Sequence, residues 1–299
     1  MKKLNFFFLA ALAISFVFTS CGKDDDSSDS SDMTDLTLNI TGLQNLGSDF
    51  AYEGWIMVDG SPVSTGTFTV DDTGALTSND FQVTTANADA ATAFILSIEP
   101  SPDSDPAPAD TKILGGAIDA KTGTLTIAHA AALGNDFLAA TGKYILATPS
   151  DGADTNESSG LWFLDNSSGT AVASLELATL PAGWKYEGWA VIDGTPVSTG
   201  TFTSASGADD SAPFSGSEGT PAYPGEDFLE NAPTGLTFPV ELLGETAVIS
   251  IEPSPDNSAA PFVLKPLVGM ISATAELHTP YSMDNNAVAT NPTGTVTIK

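Results

Sequence analysis

Residues 52–69 read YEGWIMVDGSPVSTGTFT, and residues 186–203 read YEGWAVIDGTPVSTGTFT. Fourteen of the eighteen positions are identical; the exceptions are Ile56/Ala190, Met57/Val191, Val58/Ile192 and Ser61/Thr195. Such a repeat means that one fold occurs twice or that one ligand site does. A second pair of phrases follows the first, AFILSIEPSPD at Ala93–Asp103 and AVISIEPSPD at Ala247–Asp256. The separation between copies grows from 134 residues at Tyr52/Tyr186 to 153 at Ile98/Ile251. The difference of 19 residues falls in a Gly-, Pro- and acid-rich tract, 204–239, which reads as a loop insertion in the second copy. TLNITGL at Thr37–Leu43 parallels SLELATL at Ser174–Leu180, and Lys112 and Gly116 pair with Lys265 and Gly269. These landmarks predict repeats at 34–168 and 169–299.

Inside each copy the pattern is that of strands. Leu36, Leu38 and Ile40 alternate with polar residues, as a half-buried strand requires. YEGWIMVD is aromatic and β-rich and ends at the turn signal Asp59-Gly60. Gly66 within PVSTGTFTV marks a bulge or a close backbone approach. FILSIE stops at Pro100, GGAIDAKTGTLTIAHA reads as two strands around Lys121–Gly123, and GKYILATP and SGLWFLD add two more. Ala128–Thr141 has the composition of a short helix. Strands at this density with Gly and Pro turns predict an all-β chain, two tandem antiparallel β-sandwich domains of Ig-like type.

The front of the chain reads as an address. Lys2 and Lys3 precede an apolar run from Leu4 to Phe18, then Thr19, Ser20 and Cys21, the layout of a secretory signal peptide over residues 1–20. The run is shorter than the roughly 20 residues of a membrane span. Cys21 is the one cysteine of the chain, so no intrachain disulfide forms. Its setting resembles a bacterial lipobox, which implies cleavage before Cys21 and lipidation of its sulfur; Phe18 departs from the usual leucine. GKDDDSSDSSD, residues 22–32, is acidic and without apolar side chains, so residues 21–33 read as a disordered tether. A lysine and an acidic triplet after the cysteine resemble the export signal of Bacteroidetes-type surface lipoproteins. The implied location is the outer membrane, at the cell surface, with a periplasm-facing anchor as the alternative.

Charge excludes several functions. Nine lysines and no arginine face 38 acidic residues, for a net charge of −29. Nucleic acid is not an expected partner, because binding it rests on neutralising phosphates with Lys and Arg. The two histidines, His129 and His278, fall in different copies without a repeated partner, and no Gly-x-Ser-x-Gly elbow is present. One cysteine leaves no Cys/His metal spacing, and the acidic tracts lack the EF-hand order of oxygens. No catalytic residue, metal ligand or cofactor is therefore expected, and acidic side chains read first as a solvated face. Tyr52, Trp55, Tyr186 and Trp189 are core anchors or, alternatively, a binding platform. Residues three apart on a strand face opposite ways, so one of each pair can be exposed. Glu53 and Glu187 read as solvent-facing, Glu99 and Glu252 as holders of turn amides.

The two phrases together resemble the extracytoplasmic domain of RskA-type anti-sigma-K factors: a Tyr-x-x-Trp strand, a Gly-x-Pro-x-Ser-x-Gly-x-Phe segment and a Ser-x-Glu-Pro turn. The matching positions are Tyr52, Trp55, Gly60, Pro62, Ser64, Gly66, Phe68, Ser97, Glu99 and Pro100, and in the second copy Tyr186, Trp189, Gly194, Pro196, Ser198, Gly200, Phe202, Ser250, Glu252 and Pro253. Family members join such a domain to a membrane span and a cytoplasmic sigma-binding region. Here the expectation is the outer domain alone, duplicated behind a lipid anchor, with a non-catalytic binding or structural role. The membrane through its anchor and an envelope protein or glycan are the expected partners of a monomer. A glycan-binding module stacking sugars on Trp55 and Trp189 is the first rival, and a hydrolase the second.

Overall fold

The computed structural model describes residues 32–152, 154–256 and 258–299; the leader, Cys21 and the tether to residue 31 lie outside the described residues. The chain is all-β and its strands pair antiparallel. The first stretch holds β1 (Met33–Thr41), β2 (Phe50–Val58), β3 (Ser61–Phe68), β4 (Asp80–Thr84), the short α1 (Thr85–Ala90), β5 (Ala91–Pro100), β6 (Lys112–Ala117) and β7 (Thr122–Thr126). Next come β8 (Lys143–Leu146), β9 (Gly160–Trp162), β10 (Leu164–Asp165), β11 (Val172–Ala173), β12 (Trp184–Ile192), β13 (Thr195–Phe202) and β14 (Gly225–Asp227). The chain ends with β15 (Thr246–Pro253), β16 (Leu267–Met270), β17 (Tyr281–Ser282), β18 (Asp284–Asn285), α2 (Ala287–Thr290) and β19 (Thr293–Ile298).

Local sequence accounts for the hairpins. Leu36, Leu38 and Ile40 are buried along β1 as their alternation requires. Asp59 and Gly60 both take positive φ, 50° and 78°, the geometry a two-residue hairpin turn demands, and Asp193 and Gly194 repeat it at 48° and 78°. The β2–β3 register shifts between Gly54 and Trp55, and the β12–β13 register between Gly188 and Trp189. Gly54 is needed where that bulge brings backbone and side chains together: a Cβ there would lie 2.5 Å from Thr65 Oγ1 and 2.8 Å from the Phe94 ring.

The kernel β3-β2-β5-β6 of the first copy recurs as β13-β12-β15-β16 in the second. Beyond the kernel the two copies trade strands. β19, the last strand of the chain, lies between β1 and β7 and completes an eight-stranded sheet, β3-β2-β5-β6-β7-β19-β1-β4. β8, which follows β7 in sequence, instead lies between β9 and β17 in the sheet β14-β9-β8-β17. There β8 and β9, from the first expected repeat, pair with β17 and β14 from the second. The expected division at 168/169 therefore does not separate the sheets, and Asp32–Lys299 is one compact unit. The two long repeated phrases sit in the kernels, whereas the exchanged strands have no repeated motif to mark their destination. The two crossing segments are tied to each other: Asn285 Nδ2 reaches the carbonyls of Phe137, Leu138 and Ala140 at 2.9, 3.3 and 3.0 Å, and Asn291 Nδ2 donates to Asp136 O at 2.8 Å.

Two local expectations are corrected. Ala128–Thr141 forms turns and no helix, because Gly134 and Phe137 take positive φ of 71° and 58°. The tract 204–239 is more than a loop: it supplies β14, paired to β9, and its Phe214, Phe228 and Phe238 rings pack together at centroid distances of 5.5–6.0 Å.

Removal of residues 293–299 is expected to abolish the cooperative thermal transition, since β1 and β7 lose the strand that joins them in one sheet. Asn285→Ala is expected to cost about 1–3 kcal/mol by leaving carbonyls of the crossing segment without a donor, read as a lower urea midpoint at unchanged slope.

Candidate functional site

The repeated phrases place a polar network on the opposite face of the kernel from its main core. Tyr52 and Ile56 of β2 point into the large apolar core. Tyr52 stacks on Phe68 at 5.6 Å and donates its hydroxyl to Gln44 O at 2.9 Å; Tyr186 repeats both contacts with Phe202 at 5.7 Å and Ala178 O at 2.7 Å. Glu53 and Trp55 alternate with these residues and turn the other way. Sheet register sets Glu53 opposite Ser97 and Ala51 opposite Glu99, so Glu53, Trp55, Ser97 and Glu99 share one face.

That face is covered as well. Tyr52 is 0 % exposed and Trp55, Tyr186 and Trp189 are each 2 % exposed, so both members of each aromatic pair are interior and neither tryptophan presents a ring to a sugar. Glu53 and Glu187, expected in solvent, are buried at 8 % and 5 % exposure. Burial is tolerated in part because each glutamate meets a donor at one of its two oxygens. In the first copy Trp55 Nε1 donates to Ser97 Oγ at 2.8 Å, Ser97 donates to Glu99 Oε1, the Ala109 amide donates to the same oxygen at 2.8 Å, and Ser64 donates to Glu53 Oε1. In the second, Trp189 Nε1 donates to Ser250 Oγ at 2.7 Å, Ser250 to Glu252 Oε1, the Phe262 amide to that oxygen at 2.8 Å, and Ser198 to Glu187 Oε1. Glu99 and Glu252 thus do hold loop amides, ten residues downstream and in the interior.

The copies differ at the third acid. Asp103 and Asp256 occupy equivalent places after the Ser-x-Glu-Pro turn; Asp103 is exposed and Asp256 half-buried. In the second copy one oxygen from each of Glu187, Glu252 and Asp256 lies within 4.8 Å of the others. Burial pushes Glu187 and Glu252 up to about 7, and the charge of Asp256 adds to both shifts. Burial also raises Glu99, with the fields of Asp103 and Glu53 acting in the same direction.

Glu252 and Asp256 open onto a cleft of 480 Å³ at the junction of the two copies. Leu46, Phe50 and Pro100 of the first copy and Phe262 of the second supply apolar wall. The copies approach closely here: a Cβ on Gly183 would lie 2.8 Å from the Asp110 carbonyl carbon.

A second buried acidic group lies in the insertion. Asp227 accepts from Trp162 Nε1 at 2.7 Å and from the Ser150 amide and hydroxyl at 2.8 and 2.5 Å. Glu226 accepts from Ser215, and Asp209 takes the Gly225 amide at 2.9 Å. Burial raises Glu226 and Asp209 to about 7 and raises Asp227. Every side-chain donor here is a serine hydroxyl or an indole, fixed in place. His129 and His278 stay apart: His129 packs against Gly115 and His278 Nε2 pairs with Glu157 Oε2 at 2.9 Å.

The family model for the anti-sigma-K factor rskA C-terminal region matches residues 26–113, less than a third of the chain. The span contains the first copy's kernel through Lys112, including every motif position from Tyr52 to Pro100, and the resemblance read from those motifs holds there. No curated protein and no solved structure matches the chain.

These carboxyls give an unusual pH profile. A buried acid with a raised pKa keeps its proton in the folded state and releases it in the unfolded state between about pH 4.3 and 7. Over that window the folded state binds more protons, so stability falls as pH rises and levels off above 7. In chelator-treated buffer, thermal unfolding of wild type is expected at higher temperature at pH 5 than at pH 8. Glu226→Gln and Glu187→Gln should each flatten the difference by on the order of 1–3 kcal/mol.

Proposed function

We propose that the chain is a lipid-anchored envelope protein whose two anti-sigma-factor-like, sandwich-type copies serve a non-catalytic binding or structural role. The observation that carries the reading is that duplication has preserved an interior. The aromatic and acidic residues of the repeated phrase stabilise each kernel, and the tryptophans act as hydrogen-bond donors to Ser97 and Ser250. What the pair of copies adds beyond a single copy is their junction, where the cleft at Glu252 and Asp256 draws its walls from both. A scaffold that holds two copies rigidly against each other, tethered by Cys21 through an acidic linker, is suited to presenting that junction to an envelope protein or glycan. The match to an anti-sigma-factor outer domain supports a domain that works outside the cytoplasm, with the activity of the sigma-binding region belonging to other parts of such proteins. The net charge of −29 favours solubility at a surface and opposes contact with anionic polymers.

Expression in a Bacteroidetes-type host with a clickable fatty acid tests the anchor. Wild type is expected to take up label and to be shaved from intact cells by protease. Cys21→Ala should lose the label and appear in the soluble fraction, with the folded domain unchanged by circular dichroism. A labelled Cys21→Ala variant, or wild type that stays unlabelled and soluble, would remove the lipid-anchored reading.

A further inference from the structure

We infer that Glu187, Glu252 and Asp256 form a binding site for one divalent cation, Ca²⁺ in preference to Mg²⁺, at the inner end of the cleft between the copies. Three observations converge. The three carboxylates each place an oxygen within 4.8 Å of the other two. Oxygens of a single Ca²⁺ shell, bound at about 2.3–2.6 Å, are separated by no more than about 5 Å, so the trio fits inside one shell. Second, the hydrogen bonds of the network use one oxygen only of each glutamate: Oε1 of Glu187 takes Ser198, and Oε1 of Glu252 takes Ser250 and the Phe262 amide. Oε2 of each is buried with no donor from outside the trio, that of Glu187 meeting only the Asp256 carboxyl, and the residues are 5 % and 1 % exposed. A buried carboxylate oxygen without a partner is costly, and two of them beside a third acid are costlier. Third, Asp256 and Glu252 line the cleft, which supplies an entry path and room for the waters that complete a six- to eight-oxygen shell.

The basic group whose charge reaches this trio is Lys265, which burial weakens as a cation and which forms no salt bridge with it among the described residues. An all-oxygen donor set suits a hard cation and offers nothing to zinc or copper. Ca²⁺ tolerates the irregular geometry of three fixed carboxylates, whereas Mg²⁺ demands a near-ideal octahedron and gives up water reluctantly. The first copy has the same residue types, Glu53, Glu99 and Asp103, but Asp103 stands in solvent, and among the described residues only the second trio converges. One site per chain follows.

Calorimetry with CaCl₂ at pH 8 on the chelator-treated chain from Lys23 onward is the test, with thermal melts and tryptophan-sensitised Tb³⁺ luminescence as independent readouts. Trp189 is joined to Glu252 through Ser250, so bound Tb³⁺ has a nearby indole donor. The expected result is one Ca²⁺ per chain, weaker Mg²⁺ binding, and a melting temperature raised by about 5 °C at a hundredfold excess over Kd. Glu187→Gln and Asp256→Asn should lose at least tenfold in affinity while Asp103→Asn keeps it. Asp256 is half-buried, so its variant is expected to fold, and cation-free melts establish that for every variant. Absence of heat, luminescence and stabilisation at millimolar Ca²⁺ overturns the site and leaves the trio sharing a proton. Binding that survives both Glu187→Gln and Asp256→Asn overturns it as well. Neither outcome bears on labelling of Cys21, so the site and the anchor fail separately.

Discussion

The hydrogen bond from an indole to a serine, and from that serine to a glutamate, is the interaction on which each kernel rests. It joins β2 to β5 in the first copy and β12 to β15 in the second. Through the glutamate it also reaches a loop amide ten residues away. A charged-type acceptor in the interior is expensive unless its donors are fixed in advance. Here the donors are supplied by register: β pairing sets serine and glutamate on the face that the tryptophan occupies. The network in turn demands the bulge at Gly54 and Gly188, where a side chain would collide with Thr65 or Thr199. Sequence identity across the repeats is therefore highest where sheet geometry and buried polarity constrain one another.

From one shared network the copies have moved apart in a single respect. Asp103 stays in solvent, while Asp256 folds toward Glu187 and Glu252. The equivalent acids thus stand apart in one copy and converge in the other, beside the junction between them.

Much of the kernel was legible. Alternation in Leu36, Leu38 and Ile40 marks β1, Asp59-Gly60 marks the hairpin, and prolines after Glu99 and Glu252 mark strand ends. The burial of Glu53 and Glu187 was not, because alternation assigns a strand's polar face to water and cannot say that a second layer covers it. The repeat itself held the missing signal: a glutamate beside a tryptophan and a serine two before another glutamate recur at both offsets, and a solvent-facing acid has no such constraint. Phe214, Phe228 and Phe238 similarly mark core within a tract whose glycines and prolines read as loop. The destination of β8 and β19 was beyond reach, since KYIL and TVTI fit either sheet equally well and only the tertiary pairing distinguishes them.

That pairing sets a clock on the molecule. Leu36 faces Ile298 across the β1–β19 ladder, so the earliest strand of the described residues waits for a partner 298 − 36 = 262 residues further along. Until it arrives, β1 and β7 present open edges to each other across a gap that no nearer segment fills. Contacts of such sequence separation form late and slowly. A chain that stops before β19 therefore lacks a closed first sheet. Arrival of β19, and not the appearance of either kernel, is the event that closes the first sheet.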